Sequence, residues 1–457
     1  MAEEEKDEVL DKKAAKELTM EEKLAQALVP VEEQPYKIPE NWCWTTVGNI
    51  AKIIMGQSPE SSSTTEDSSF MPLVGGAADM GKMFPKVTRY TKKPTKICNK
   101  GDLILCIRAT LGRPIFADKE YCIGRGVAGI RIIGGNNEFF RYFFLNFEDY
   151  LYEKATGSTF AQVNSVILQN MPVPLPPLKE QRRIIDRIES IFTKLDEAKE
   201  KAQAVVDGFE LRKSAILHKA FTGELTKQWR KSRGISIESW RTVPLIEIST
   251  LQTGIMKGKH FNDKTICLPY LRVANVQDGY FNLKEIKRIE VSEKMVDRYL
   301  LQKGDVLFTE GGDFDKLGRG SVWNAEIKVC LHQNHVFVVR PDKKILDPYF
   351  LSLQAGSRYG KKYFLSCAKQ TTNLASINST QLKNYPVRLP VIEEQKAILN
   401  MVSDVLKKER QVKDAAELVI SQIDVMKKAV LARAFRGELG TNDLLEEKSV
   451  ELLKLVF

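Results

Sequence analysis

The sequence predicts an α+β chain: two globular mixed α/β domains separated by two long antiparallel coiled-coil helices, arranged as an internal repeat with pseudo-twofold symmetry. Three observations predict it. Asn164–Ile185 (NSVILQNMPVPLPPLKEQRRII) recurs as Asn378–Leu399 (NSTQLKNYPVRLPVIEEQKAIL), with 11 of 22 positions identical. Arg212–Leu225 (RKSAILHKAFTGEL) recurs as Met426–Leu439 (MKKAVLARAFRGEL), and both pairs are offset by 214 residues. The segments between the motifs therefore match in length, whereas the parts before them do not: 120 positions separate Trp44 from Asn164, and 138 separate Trp240 from Asn378. A duplicated unit with a length-locked spacer suggests a measuring device acting on a linear substrate. Insertions concentrate in loops, so the variable parts read as heads and the fixed parts as a frame.

The elements follow in order. Residues 1–38 are an acidic extension with helical content over Glu8–Leu28. The first globular domain, 39–178, opens on WTTVGNIAKIIMG (Trp44–Gly56), which parallels WRTVPLIEISTLQTG (Trp240–Gly254) in the second, 226–390. Each domain later carries a Lys-Gly-Asp turn followed by a β-prone run, KGDLILCI (Lys100–Ile107) and KGDVLFTE (Lys303–Glu310). The first spacer helix, 179–225, is preset by Pro176 and Pro177 and stopped by Gly223. Its residues Ile184, Ile188, Ile191, Leu195, Ala198, Ala202, Val205 and Phe209 alternate spacings of four and three, the seam of a coiled coil. From Glu180 to Phe221 it would span roughly 60 Å at about 1.5 Å per residue. The second, 391–440, follows Pro390, is stopped by Gly437, and places Ile398, Val402, Val405, Val412, Ala416, Val419 and Ile423 in the same register. Glu409 interrupts it where Leu195 sits in the first copy. A helical tail, 441–457, completes the chain. Two such helices are most simply satisfied by each other, with one globule at each end of a rod; the alternative packs each helix on its own globule.

A chain of 457 residues accommodates two or three domains with their own cores. It contains no 18-residue apolar run and no signal peptide, so a cytoplasmic protein without membrane contact is expected. Seven scattered cysteines without CxxC read as core residues in a reducing compartment. His332 and His335 lie three apart on an apparent strand and should face opposite ways, which argues against a shared metal. The first 35 residues carry 11 acidic and 5 basic side chains, a net of −6, leaving +16 on the body of a chain whose total is +10. That basic body suggests a polyanion, nucleic acid ahead of a membrane surface.

Catalytic signatures are missing. Gly254–Lys259 is one residue short of a phosphate loop, and His260 stands where Ser or Thr would hold magnesium. There is no GxGxxG and no Asn/Asp-Pro-Pro-aromatic motif, and Glu285-Ile286-Lys287 and Glu326-Ile327-Lys328 lack the upstream Pro-Asp of a nuclease. No catalytic residue, metal site or cofactor is expected in this chain.

Over about residues 36 to 440 the chain resembles the DNA-specificity subunits of type I restriction–modification systems. The resemblance rests on PVPLPPLKEQRRI and LPVIEEQKAI after the globules, the helix ends KAFTGEL and RAFRGEL, and the turns KGDLIL and KGDVLF. PLVGGAADMG (Pro72–Gly81) and YLRVANVQDG (Tyr270–Gly279) look like two variants of one strand of that family's heads. The resemblance implies that each globule is a target recognition domain reading half of a split double-stranded DNA site in the major groove. It also implies that the helices set the unread spacer and dock two modification subunits, which use S-adenosylmethionine to methylate adenine. Two restriction subunits, ATP- and Mg-dependent motor nucleases, would complete the complex. The acidic extension before Pro39 departs from the pattern.

Such heads must neutralise phosphates and offer donors and acceptors to base edges. The loop-borne candidates are Gln57, Ser58, Arg89, Lys92, Lys93, Arg108, Arg113, Ser158 and Thr159 in the first head. In the second they are Lys257, Lys259, Arg272, Asn275, Arg319, Thr371, Thr372 and Asn373. For Arg272 the plain alternative is a strand arginine paired with a nearby acid. Two other functions fit less of the chain: a coiled-coil scaffold binding proteins or structured RNA, and a self-contained methyltransferase with an unrecognised cofactor loop.

Overall fold

The computed structural model describes residues 19–157, 160–258, 261–312, 317–318, 320–370 and 375–457. The chain forms two compact units, one of residues up to Lys201 together with Val419–Phe457, the other Ala202–Leu418.

In the first unit a four-stranded antiparallel sheet runs in the order Ala51–Met55, Val127–Ile132, Leu103–Arg108, Thr110–Phe116. The Lys-Gly-Asp turn works as its sequence suggests: Gly101 takes φ 92°, which glycine adopts without cost. Its neighbour Asp102 is buried, accepts the Asn99 N–H at 2.7 Å and grips the Arg131 guanidinium with two bonds of 2.9 Å. A phenylalanine-rich helix, Asn137–Asn146, covers the sheet, and Phe139 and Phe143 pack on Phe435 from the end of the second long helix. A two-stranded clasp, Cys43–Thr46 with Pro172–Leu175, closes the domain.

The second unit repeats this plan. Its sheet runs Ser249–Thr253, Val336–Pro341, Val306–Thr309, Gly320–Val322, and its clasp pairs Arg241–Pro244 with Pro386–Leu389. Gly304 has φ 94°, and buried Asp305 accepts the Gln302 N–H and holds Arg340 at 2.7 and 2.8 Å.

The duplicated Glu-Gln pair forms a buried knot in each unit. Glu180 accepts from Trp42 Nε1 (2.7 Å) and Asn442 Nδ2 (2.9 Å), while Gln181 accepts the Asn136 N–H and donates to Pro176 O. Glu394 accepts from Trp240 Nε1 (3.0 Å), Thr226 Oγ1 (2.7 Å) and Arg230 Nη1 (2.5 Å), while Gln395 accepts the Asp347 N–H and donates to Pro390 O. Gly223 (φ 79°) and Gly437 (φ 74°) stop the long helices, and the chain beyond them supplies Thr226, Arg230 and Trp240 to one knot and Asn442 to the other.

The spacer helices span Leu178–Asp207, continued after Gly208 by Phe209–Phe221, and Ile392–Phe435. Gly208 keeps right-handed helical backbone, and its N–H and C=O bond Ala204 and Arg212 at 3.0 Å, so the helical bonding passes through it. Within each unit the two helices run antiparallel. In the first, Lys199 pairs with Asp424 at 2.7 Å and Asp196 with Lys427 at 2.5 Å; in the second, Arg212 pairs with Glu409 at 2.6 Å and Lys413 lies over the Phe209 ring. Ile184, Ile188, Ile398, Val402 and Ile423 are buried, and Ile191, Leu195, Val205, Phe209 and Val405 are half-buried.

The seam departs from expectation at Val412 and Val419, which are 52% and 41% exposed. Polar Glu409 sits in the contact because Arg212 reaches it. Lys413 then enters with its ammonium over the Phe209 ring, and the stripe moves one residue past the valines. Ala198 also faces outward.

The described part of the extension holds a helix, Met20–Ala27, opened by a Thr19–Glu22 capping box, and a short 3-10 turn, Val31–Glu33. The tail contributes the helix Val450–Lys454. Both belong to the first unit, where Asn41 bonds Asp443 O and the Ser449 N–H, and Arg183 pairs bidentately with Glu446 at 2.8 Å.

Candidate nucleic-acid interface

The first unit's candidate surface is built around side-chain-free crossings. A Cβ at Gly56 would overlap the carbonyl oxygens of Gly124 and Val127, and one at Gly126 would overlap that of Gly75. Only glycine lets these backbones pass so closely. The crossing brings Gln57 and Ser58 beside Arg125. The Gln57 N–H donates to Ile123 O (2.9 Å), the Arg125 N–H donates to Ser58 Oγ (3.3 Å), and Thr95 donates to Gln57 O. The Ile107 N–H donates to Gly126 O (3.0 Å), so Arg108, the last residue of its strand, lies at the same sheet end. Ala109 follows with φ 65°, pinned through its N–H to Ala161 O at 2.8 Å. The loop beyond it is closed by reciprocal Thr156–Gln162 bonds. Left-handed backbone at a non-glycine residue costs on the order of 1–3 kcal/mol, so this turn is held by its surroundings.

The structure thus unites Gln57, Ser58 and Arg108, all exposed, and adds exposed Arg125. Sequence reasoning missed Arg125, although the Gly124-Arg125-Gly126 pattern resembles the glycine-flanked Arg319 it did select. Arg113 (φ 53°) lies where the pairing of Leu103–Arg108 with Thr110–Phe116 shifts register, facing Glu148. Burial raises the Glu148 carboxyl above its ordinary value, against the pull of Lys428 and Arg113. Arg89, Lys92 and Lys93 lie apart, on or beside a second sheet: Arg89 is bound to buried Asp79 (3.2 Å), Lys92 covers the Phe70 ring, and Lys93 is exposed. Ser158 and Thr159 lie outside the described residues.

The second unit uses equivalent bonds and different side chains. A Cβ at Gly254 would overlap the carbonyl oxygens of His332 and Gln333. The Ile255 N–H donates to His332 O (2.9 Å), and the Asn334 N–H donates to Ile255 O (3.0 Å). The Glu310 N–H donates to His335 O (3.0 Å), as Ile107 does to Gly126, and the Ile377 N–H donates to Glu310 O (2.7 Å), as Val163 does to Ile107. These bonds make Asn334 the positional counterpart of Arg125. This sheet end carries Lys257, Asn334, and His335 with its ring bonded to the Glu310 carboxylate. Beside it Gly311–Gly312 pairs with Ala375–Ser376 of a short hairpin. Lys259, Arg319, Thr371, Thr372 and Asn373 lie outside the described residues.

Two expectations for this unit need correction. Asn275 is 3% exposed. Its Oδ1 accepts the Arg272 N–H, and its Nδ2 donates to Asn282 O and Glu285 O. It ties a loop together and has no donor left for a base. Arg272 donates to Glu285 O at 3.2 Å and pairs with that residue's carboxylate at 3.5 Å, the plain alternative noted above. Their turn reads in sequence like any polar loop; the long-range carbonyls that absorb them do not show.

His332 is buried, with Nδ1 2.7 Å from Val336 O, and burial pushes its pKa down to about 4. Exposed His335 is not its partner. Among the described residues no group of three or more His, Cys, Asp or Glu is placed to hold a metal ion. Nor is any described helix long and apolar enough to cross a membrane.

Residues 39–206 and 237–418 match the model of the family described as the type I restriction modification DNA specificity domain. The chain is 34% identical over 200 residues to the type I restriction enzyme MjaX specificity subunit of Methanocaldococcus jannaschii, covering 41% of this chain and 44% of that one. It is 24% identical to the EcoKI specificity subunit of Escherichia coli K12, covering 62% and 61%. These alignments span less than two thirds of either relative. In fold it is similar to the HsdS subunit from Thermoanaerobacter tengcongensis, with a TM-score of 0.60 at 20% identity over 89% of this chain and 99% of that one.

Proposed function

Because this chain belongs to the type I restriction–modification DNA-specificity family, whose model covers both of its repeats, we propose that it reads a bipartite double-stranded DNA site, one half with each unit. It is the non-catalytic specificity subunit of such a system. The observation that carries the reading is the pair of equivalent sheet ends. One backbone plan presents Gln57, Ser58, Arg108 and Arg125 in the first unit, and Lys257, Glu310, Asn334 and His335 in the second. Conserved geometry with exchanged donors and acceptors is what two different half-sites require. Arginine suits the O6/N7 edge of guanine and asparagine the N6/N7 edge of adenine. Phosphate contacts fix register without reading sequence.

In this reading the spacer helices set the distance between half-sites and dock two modification subunits, which use S-adenosylmethionine to methylate adenine within the site. Two restriction subunits add ATP- and Mg-dependent translocation and cleavage. The complex works in the cytoplasm, where its DNA lies. The test exchanges residues 44–164 for the corresponding head of another family member and maps methylated adenines in the host genome. One half-site should change and the other should persist. A change in both halves would end the one-head-one-half reading, and a complex without any site preference would return the scaffold alternative.

A further inference from the structure

The second unit contains a concavity of about 1080 Å3 that the reading above does not use. Its walls come from the helix Phe209–Phe221, the loop Asp278–Tyr280, the helices Pro348–Gly356 and Arg358–Cys367, and Arg410 of the second long helix. The lining is strongly basic. Lys213 is already shared between Glu210 and Asp278, at 4.0 and 3.8 Å. Arg388 is held on the Tyr359 ring and donates to Phe221 O. Arg358, Lys361, Lys362 and Arg410 remain, and among the described residues none has an ion pair.

Two features say what such a groove would hold. Its walls adjoin the sheet end that carries Glu310 and His335. The Gly279 N–H donates to Gly320 O (3.2 Å), Gly320 pairs with Phe308 two positions before Glu310, and Arg358–Cys367 runs on into the hairpin strand Lys369–Gln370. The charge also belongs to this unit and not to the fold. The helix at the same place in the first unit, Glu148–Lys154, carries three acids and one lysine. Four unpaired cations on a track leading from the base-facing edge to the spacer helix are placed for a backbone that passes on from the bases being read.

We propose that this groove binds the phosphodiester backbone of DNA next to the second half-site, with Arg358, Lys361, Lys362 and Arg410 as phosphate contacts. The inference rests on the bipartite reading and adds an asymmetry to it, since backbone contact of this kind is made by one unit. The test is the salt dependence of duplex binding by the chain assembled with its modification subunits, between roughly 50 and 300 mM salt. Each lost phosphate contact lowers the slope of log K against log salt by about 0.9. R358Q/K361Q/K362Q should therefore lower it by about 2.7 and R410Q by about 0.9, on specific and random duplex alike, with the methylated sequence unchanged. R358K/K361R/K362R, which keeps the charges, should restore the slope. An unchanged slope in the triple glutamine variant overturns the proposal, and loss of subunit assembly with an unchanged slope would assign the groove to an acidic protein surface instead. Because random duplex is read as well, the slope decides the groove even where a wild-type complex without site preference has sunk the parent reading.

Discussion

Glu394→Gln is the perturbation for which the structure gives the firmest magnitude. Glu394 and Arg230 form an ion pair of 2.5 Å with side chains 0% and 7% exposed. Removing one partner of a buried pair costs about 3–5 kcal/mol, because the other is left as an uncompensated buried charge. Here Arg230 keeps Thr226 Oγ1 at 3.0 Å and Gly223 O at 2.6 Å, which places the cost near the lower end, about 3 kcal/mol. Removing both charges as R230M/E394L leaves the Thr226 hydroxyl and the Trp240 N–H without their acceptor and the Gly223 carbonyl without its donor, about 1 kcal/mol each, or about 3 kcal/mol together, with no charge left buried alone. A two-unit chain is unsuited to a single unfolding free energy, so the assay is native-state hydrogen exchange over residues 222–235. The Arg233 and Ile235 amides, both bonded to Arg230 O, should lose protection by about 150-fold in E394Q, and removing the second charge in the double variant should add nothing to that loss. A single variant within tenfold of wild type, or a double variant more than tenfold worse than the single, would refute the reasoning.

Three further outcomes follow. Arg125→Asn, at an exposed position, should leave thermal stability unchanged and alter one base of one half-site, a discrimination of about 1–3 kcal/mol read by methylated-adenine mapping. Gly254→Ala forces a methyl group into two backbone carbonyls and should destabilise the second unit by about 3 kcal/mol, read by native-state hydrogen exchange in the sheet of that unit, while Gly76→Ala, with open space around it, should be neutral. Hydrogen bonding to Arg183 lowers the Glu446 pKa, so the stability this pair gives the tail is complete above the ordinary glutamate range and is lost as pH falls through the depressed value. Limited proteolysis within 441–457 should therefore accelerate in acid for the wild type, and E446Q should remove that pH dependence.

The repeat, the two Lys-Gly-Asp turns, the glycine helix stops and the long helices were legible because local chemistry and fixed spacing encode them. The Glu-Gln knots were visible only as recurring letters. Nothing local says that Glu180 and Glu394 are buried, since their partners Asn442 and Arg230 lie far along the chain. The seam was misread by one residue at Val412 and Val419 because an apolar count cannot see that Arg212 makes Glu409 acceptable inside a contact. At the candidate interface, exposed loop cations and amides were found as a class. Their grouping was not: Arg125 meets Ser58 only through glycine crossings, and Asn275 is consumed by carbonyls up to ten residues away.

The two Glu-Gln knots are assembled from different lengths of chain. In the second unit one unbroken stretch, Gly223–Trp240, supplies every partner of Glu394. In the first unit Glu180 is met by Trp42 from one end of the sequence and by Thr441 and Asn442 from the other, joined only through non-covalent contacts. Peptide continuity is therefore dispensable at this junction. A protease nick at exposed Ser232–Gly234 should yield two fragments that stay together and migrate as the intact protein until denaturant is added.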